Sequence, residues 1–329
     1  MVSRNSVMWR TERSERSLRT QAKRRRSNLL AAPLLFLLFL IGCAPASPAG
    51  TVAPPPEATP TLEPPTPAPD YVAQVHNAQY QLGLSDSLRV VQLTDGNYDT
   101  GAPGSAEYGS VTMLDFIARG DLNNDGADDI AVAVAENYGG TGVFVFVAVY
   151  AEVNEQLVFQ TSTLVDDRPA INALSIENGE VFLDAITHDS DDPFCCPTLR
   201  NERRYRLINN QLQMTDYVTF TPDARARTIT IESPTNGTEV FSTVRIKGNV
   251  AIAPFENNLA YRIYDVGGVE LSAGAVAVTA ADLGAPGTFD TIINLGGLLS
   301  GSVIRIEIQD VSAADGSLLA MDSVELVVK

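Results

Sequence analysis

An acidic loop at residues 121–129 has the residue types and the spacing of a calcium-binding turn. Oxygen donors stand at its first, third, fifth, seventh and ninth positions: Asp121, Asn123, Asp125, the carbonyl of Ala127, and Asp129. Gly126, at the sixth position, permits a sharp turn. Calcium takes about six to eight hard oxygen ligands. The spacing therefore predicts a structural calcium ion, and the alternative is a hairpin turn rich in Asp and Asn that holds no metal.

The loop differs from an EF-hand in two respects. Its twelfth position is Val132 instead of Glu, and an apolar strand that starts at Ile130 follows it instead of a helix. The segment instead resembles the calcium loops of FG-GAP and integrin-type propeller repeats. Those loops recur several times in a propeller, whereas this sequence contains one copy. The resemblance therefore implies a single calcium loop and not a propeller fold.

A second candidate cluster lies at residues 188–197, with the sequence HDSDDPFCCP. Cys195 and Cys196 are adjacent, and an oxidising compartment favours a vicinal disulfide between them. Buried reduced thiols and intermolecular bridges are the other states open to them. Sulfur together with the imidazole of His188 would suit zinc or copper, which makes metal handling an alternative function. A secreted hydrolase that uses His188 and the neighbouring acids is another alternative.

Other signals for catalysis are weak. After the N-terminal leader the chain has two histidines, His76 and His188, and it has no Gly-x-Ser-x-Gly nucleophile elbow and no Gly-rich phosphate loop. Paired carboxylates are uninformative in a chain with this many acids. The sequence therefore favours a protein that is not an enzyme.

Cys43 follows a basic stretch that ends at Arg26 and an apolar run from Leu29 to Ile41. The run is shorter than the roughly 20 residues that span a bilayer. Basic region, short apolar region, Gly42 and cysteine together resemble a bacterial lipoprotein signal peptide. The resemblance implies cleavage before Cys43 and acylation of its thiol, with palmitate as the expected label. It also implies export to the extracellular or periplasmic face of the cell membrane.

Removal of the leader, residues 1–42, makes the chain strongly acidic. The leader holds nine of the 23 basic residues and two of the 40 acidic ones, which leaves 14 and 38 and a net charge of −24. Nucleic-acid binding needs a positive surface that displaces counterions, so nucleic acid is excluded as a partner. The partners that remain are the membrane, through the lipid, and a cell-wall polymer or an envelope protein.

Composition divides the exported chain into three parts. Residues 43–69 contain the lipidated cysteine and a linker, in which ten of the 26 residues after Cys43 are proline. Such a segment favours an extended spacer without a core. Residues 70–220 contain short β-branched runs separated by Gly and Asn turns, which predicts a β-rich or α+β domain. The overall fold class is therefore mainly β.

Residues 227–329 show the alternation of half-buried strands. Ile304, Ile306 and Ile308 alternate with polar residues, and Asn-Gly and Asp-Gly turns separate the strands. About seven strands in about 100 residues suggest an immunoglobulin-like β-sandwich.

This last segment also resembles the immunoglobulin-like domain of bacterial sporulation and spore-germination-associated proteins. The resemblance rests on five stretches: residues 231–237, 244–248, 254–258, 287–289 and 311–317. It implies an extracellular binding or scaffold module without an active site. We therefore expect a non-catalytic, envelope-anchored lipoprotein that acts as a binding or scaffold module, with calcium as a structural cofactor.

Overall fold

A computed structural model describes residues 70–83 and 88–329 of the chain. These residues belong to one compact unit, Pro65–Lys329. The predicted signal peptide, Cys43 and the linker up to residue 69 lie outside the described residues.

The first half of the described chain has one short helix followed by strands. Its elements are α1 Tyr71–His76, β1 Gln79–Leu82, β2 Arg89–Gln92, β3 Asn97–Thr100, β4 Gly109–Gly120, β5 Asp129–Asn137, β6 Phe144–Val153, β7 Gln156–Asp167, β8 Ala170–Glu177, β9 Glu180–Thr187, β10 Leu199–Ile208 and β11 Gln211–Phe220. The second half adds β12 Ala226–Arg227, β13 Ile229–Ser233, β14 Thr238–Val240, β15 Thr243–Val250, a 3-10 helix Phe255–Asn257, β16 Asn258–Asp265, β17 Glu270–Ala280, β18 Gly287–Asn294, β19 Val303–Val311 and β20 Leu318–Val328.

Strands β3 to β7 form an antiparallel meander that is covered on both faces. On one face, the helix and the β1–β2 hairpin pack around Tyr80 and Tyr150. On the other face, strands β8 to β10 pack around Val149 and Leu183. Because both faces are buried, β5 and β6 are continuous apolar runs instead of alternating strands.

A larger sheet joins the two halves of the described chain. Its strands run in the order β8, β9, β10, β11, β20, β19, β16, β17, β18, β15 and β13. The two halves meet where β11 pairs antiparallel with β20, and Tyr217 lies opposite Met321. The sheet therefore continues across the boundary that the sequence predicted between residues 220 and 227.

The second half folds into the two layers of a sandwich. Strand β17 pairs with β16 and, further along, with β18, so it passes from one layer to the other. The layers enclose an aliphatic core in which Ile246, Ile263, Ile306 and Leu326 are fully buried. The observed architecture confirms the prediction of a mainly β protein with an immunoglobulin-like C-terminal region.

Strand β19 differs from its prediction, because both of its faces are buried. The polar residues Arg305, Glu307 and Gln309, expected on a half-exposed strand, are less than a tenth exposed. The reason is long-range packing against β11. Arg305 Nη1 donates to the Met214 carbonyl at 2.6 Å, and its Nη2 donates to Gln213 Oε1 at 3.1 Å. The polar face of β19 therefore provides a second link between the halves.

Candidate functional site

The acidic loop connects β4 to β5 and is closed by its own side chains. The two carboxylate oxygens of Asp121 accept the N–H groups of Asp125, at 3.2 Å, and Gly126, at 3.0 Å. Asn123 Oδ1 also accepts from the Asp125 N–H, and Asp125 Oδ1 accepts from the Ala127 N–H at 2.8 Å. Gly126 has a φ of 88°, a conformation that glycine adopts without strain. Local sequence thus determines the turn.

Asp129 has a different environment from the other predicted ligands. Its side chain is 1% exposed. Its Oδ2 accepts the Leu122 N–H at 2.9 Å and its Oδ1 accepts the Glu152 N–H at 3.0 Å. Burial raises the pKa of this carboxyl. Asp129 therefore fastens the loop to the end of β6.

The loop fits calcium by the chemistry of its donors. Asp121, Asn123 and Asp125 offer hard oxygens, and a carboxylate oxygen has room for a second partner beside one N–H group. Within the two described ranges, however, no group of three or more His, Cys, Asp or Glu side chains is placed to hold a metal. Both carboxylate oxygens of Asp129 accept backbone N–H groups, and Asp129 does not form a metal-binding group with Asp121 and Asp125. Its role as a ligand stays a prediction.

His188 follows β9 and is held by Asp166. Both its backbone N–H, at 2.6 Å, and its ring Nδ1, at 2.9 Å, contact Asp166 Oδ2. The bond to Asp166 raises the pKa of the imidazole. The other ring nitrogen, Nε2, is buried and has no hydrogen-bond partner among the described residues. Because a general base must reach the proton that it removes, this placement is better suited to a structural histidine.

Cys195 and Cys196 form a vicinal disulfide in the structure, with their Sγ atoms 2.25 Å apart. The surrounding turn is closed by Asp192, whose Oδ2 accepts the N–H groups of Asp189, at 2.9 Å, and Thr198, at 2.7 Å. A cysteine that binds a metal ion does so as a thiolate. In the disulfide state the two sulfurs therefore do not provide the ligands of a zinc or copper site.

A row of three cavities, which sequence reasoning missed, lies where β11 and β12 meet the loops at one end of the sandwich. Their volumes are about 770, 540 and 420 Å³. The first and second share Arg227 and Leu319, and the second and third share Asp189 and Leu318. We call this row the junction cleft. No motif marks it, because its walls include residues of five connections that are far apart in the sequence.

The comparisons with known proteins concern the C-terminal half. Residues 228–317 match the family model of the immunoglobulin-like domain of bacterial spore germination. This match confirms the resemblance of that segment, and the family is not a known family of enzymes. The matched residues include part of the wall of the junction cleft. A search of curated proteins found no match.

The described residues contain no helix with the length and apolarity needed to cross a membrane.

Proposed function

We propose that this chain is a non-catalytic lipoprotein of the cell envelope that binds or scaffolds a surface component. The observation that carries the proposal is the continuous sheet through β11 and β20, which makes the described chain one body. A single body presents a binding surface in a fixed orientation. The tether, a lipid on Cys43 followed by the proline-rich linker of residues 44–69, is part of the same proposal and would hold this body away from the membrane.

Side-chain contacts across the junction support a rigid connection. Arg206 on β10 binds Glu180 on β9 and Glu325 on β20, each at 2.9 Å. Thr219 Oγ1 on β11 donates to the Leu319 carbonyl on β20 at 2.6 Å. A flexible linker between two independent domains would lack such contacts, since linkers carry few contacts across them.

We favour this function over the two alternatives for reasons that concern single side chains. A hydrolase would need an accessible nitrogen on His188, whose Nε2 is buried. Metal handling would need thiolates at Cys195 and Cys196, which are bonded to each other.

A pull-down tests the proposed function. The full-length protein, solubilised in detergent, is incubated with isolated cell-wall and envelope material, once with calcium and once with a chelator. We expect specific retention of an envelope component in calcium. The Asp290→Asn variant serves as the control and should retain the same component, because this exposed aspartate pairs with Arg245 and lies outside the junction cleft. Retention of nothing under either condition would contradict the proposal.

The calcium loop gives a second prediction. Calcium that binds only the folded state stabilises it by about 2.7 kcal/mol at a concentration of 100 Kd. We expect wild type to melt at a higher temperature in calcium than in chelator. Asp125→Ala should remove that difference, because it removes one charged ligand from the loop.

The matched control is Asp128→Ala, in the same loop. Asp128 is exposed and pairs with Arg119 at 2.8 Å, and it is not a predicted ligand. This variant should keep the calcium-dependent rise in melting temperature. Identical melting curves for wild type in calcium and in chelator would refute a calcium site here.

A further inference from the structure

Asp310 is a buried carboxylate that accepts no hydrogen bond from the described residues. It lies near the end of β19, is 5% exposed, and lines the largest cavity of the junction cleft. Its nearest cation is Arg227, with Nη1 at 4.0 Å, and no group in the described part of the chain donates a hydrogen bond to it. Neither of its oxygens is fully enclosed, so the carboxylate reaches the cavity. The carboxylate is therefore available to a donor that enters the cavity.

Arg227 supplies the complementary donors beside Asp310. Its side chain is 28% exposed and makes no hydrogen bond to the described residues. The neighbouring Arg225 differs, because it binds Asp223 at 3.0 Å. The cavity thus holds one free acceptor and one free set of donors that a single bound group could bridge.

The rest of this cavity is apolar and formed mainly by loops. Ile252, Val311 and Leu319 line it, and Phe255 and Leu283 also belong to its lining although they are 67% and 77% exposed. Mostly apolar walls with a few convergent polar groups are typical of ligand sites. Loops at one end of a rigid sandwich are a common place for recognition.

We propose that the junction cleft binds an extended peptide segment with apolar side chains, one residue of which donates its backbone N–H to Asp310 and accepts from Arg227 with its carbonyl oxygen. Each residue of an extended chain presents its N–H and its C=O to the same side, which matches this adjacent acceptor and donor. The three connected cavities suit a chain that is longer than a small molecule. This inference rests on the proposed binding function and names the chemical class of the partner.

Two observations favour a peptide over a glycan. Phe255 is the one aromatic residue that lines the largest cavity, and aliphatic residues form most of the remaining apolar wall. Aliphatic walls suit apolar side chains, whereas sugar rings stack on aromatic faces. The acidity of the chain further favours peptides that carry basic residues beside the apolar ones, because a negative protein attracts positive partners.

The test is a selection of random twelve-residue peptides, displayed on phage, against the immobilised full-length protein in detergent. Enriched peptides are synthesised and their Kd values measured for wild type, Asp310→Asn and Phe255→Ser. We expect both variants to bind about tenfold or more weakly than wild type. Asp310→Asn should melt no lower than wild type, because it removes an unpaired buried charge, and this separates lost binding from lost folding.

Matched controls lie away from the cleft. Phe241→Ser changes a phenylalanine with the same 67% exposure, and Asp290→Asn changes an exposed aspartate. Both should bind the selected peptides as wild type does. The inference is overturned if no peptide is enriched on wild type relative to the Asp310→Asn variant. It is also overturned if the Kd of the enriched peptides for that variant lies within about twofold of the Kd for wild type.

A glycan probe and the pull-down separate the remaining outcomes. One outcome is that no peptide is selected and that chitohexaose binds wild type but not Asp310→Asn. That result would show that the ligand of the cleft is a glycan and not a peptide. If Asp310→Asn retains the envelope component as wild type does and selects the same peptides, the cleft inference fails while the proposed function stands. If peptide binding requires Asp310 but the pull-down retains no envelope component, the inference stands and the proposed function fails.

Discussion

Arg305→Ala is expected to lower the free energy of unfolding by about 3–5 kcal/mol, the usual effect of breaking a buried ion pair. Arg305 and Glu307 are both more than nine-tenths buried and bind each other. The substitution would leave the Glu307 carboxylate without its cation. It would also remove the donors to Met214 and Gln213 on β11. Urea unfolding followed by far-UV circular dichroism measures the loss.

Two further variants serve as controls for Arg305→Ala. Arg245→Ala breaks an exposed pair with Asp290, and we expect it to change the stability little, because solvent screens exposed ion pairs. The double variant Arg305→Met with Glu307→Leu removes both charges and should recover most of the stability, because well-packed apolar residues replace buried pairs with little loss. Equal losses for Arg305→Ala and Arg245→Ala would show that the buried network does not join the halves.

The second large effect concerns two acids that face each other at the junction. Asp216 on β11 lies directly opposite Asp322 on β20. Burial, followed by repulsion from Asp322, raises the pKa of Asp216 to about 7, although the opposing Arg204 lowers it in part. Burial also raises the pKa of Asp322 to about 6. Like charges directly across a strand pair are destabilising, so the ionised pair weakens the junction.

The sign of the pH dependence follows from these shifts. An unfolded aspartate has a pKa near 3.9. Between about pH 4 and pH 7 the folded chain therefore holds protons that the unfolded chain has released. The stability contributed by this pair is fully present below about pH 4 and is lost as the pH rises through 6 and 7.

Asp216→Asn should therefore raise the free energy of unfolding at pH 8 by about 1–2 kcal/mol, allowing for solvent screening of a partly buried side chain. The gain should vanish at pH 4. Asp216 is the better position to change, because Asp322 accepts the N–H groups of Ile231 and Ser323. Thermal melts at pH 4, 6 and 8 measure the effect.

The control for this pH effect has the opposite sign. Arg245 lowers the pKa of the exposed Asp290. Asp290→Asn should therefore give no gain at pH 8 and a small loss. A difference between Asp216→Asn and wild type that stays constant from pH 4 to pH 8 would contradict the assignment.

Patterns that are local in the sequence predicted the strands well. The apolar run at 143–150 falls within or beside β6, and the alternating Val244 and Ile246 lie on β15 with their side chains in the core. Alternation and turn residues report directly on which face of a strand is buried. They do not report on partners, so the pairing of Asp216 with Asp322, more than 100 residues apart, had no local signal. For the same reason Arg305 was expected on a half-exposed strand.

The two candidate sites also differ in whether local sequence could predict them. The acidic loop was predictable because each hydrogen bond within it joins residues at most seven positions apart, as between Leu122 and Asp129. The junction cleft was not predictable, because Arg227, Phe255 and Asp310 come from separate elements, β12, the 3-10 helix and β19, that only the folded sheet brings together. Its acceptor, Asp310, is one of many acids in the sequence and is distinguished only by its burial.

Pulsed hydrogen exchange along a urea gradient, read by mass spectrometry, tests most directly whether the two halves form a single body. Peptides from β5 and β6 report on the first half, and peptides from β15 and β18 report on the second. We predict that both sets lose protection at the same urea concentration, because the β11–β20 pairing and the Arg305 network join them. Two separate transitions would show that the halves unfold independently and would contradict this account.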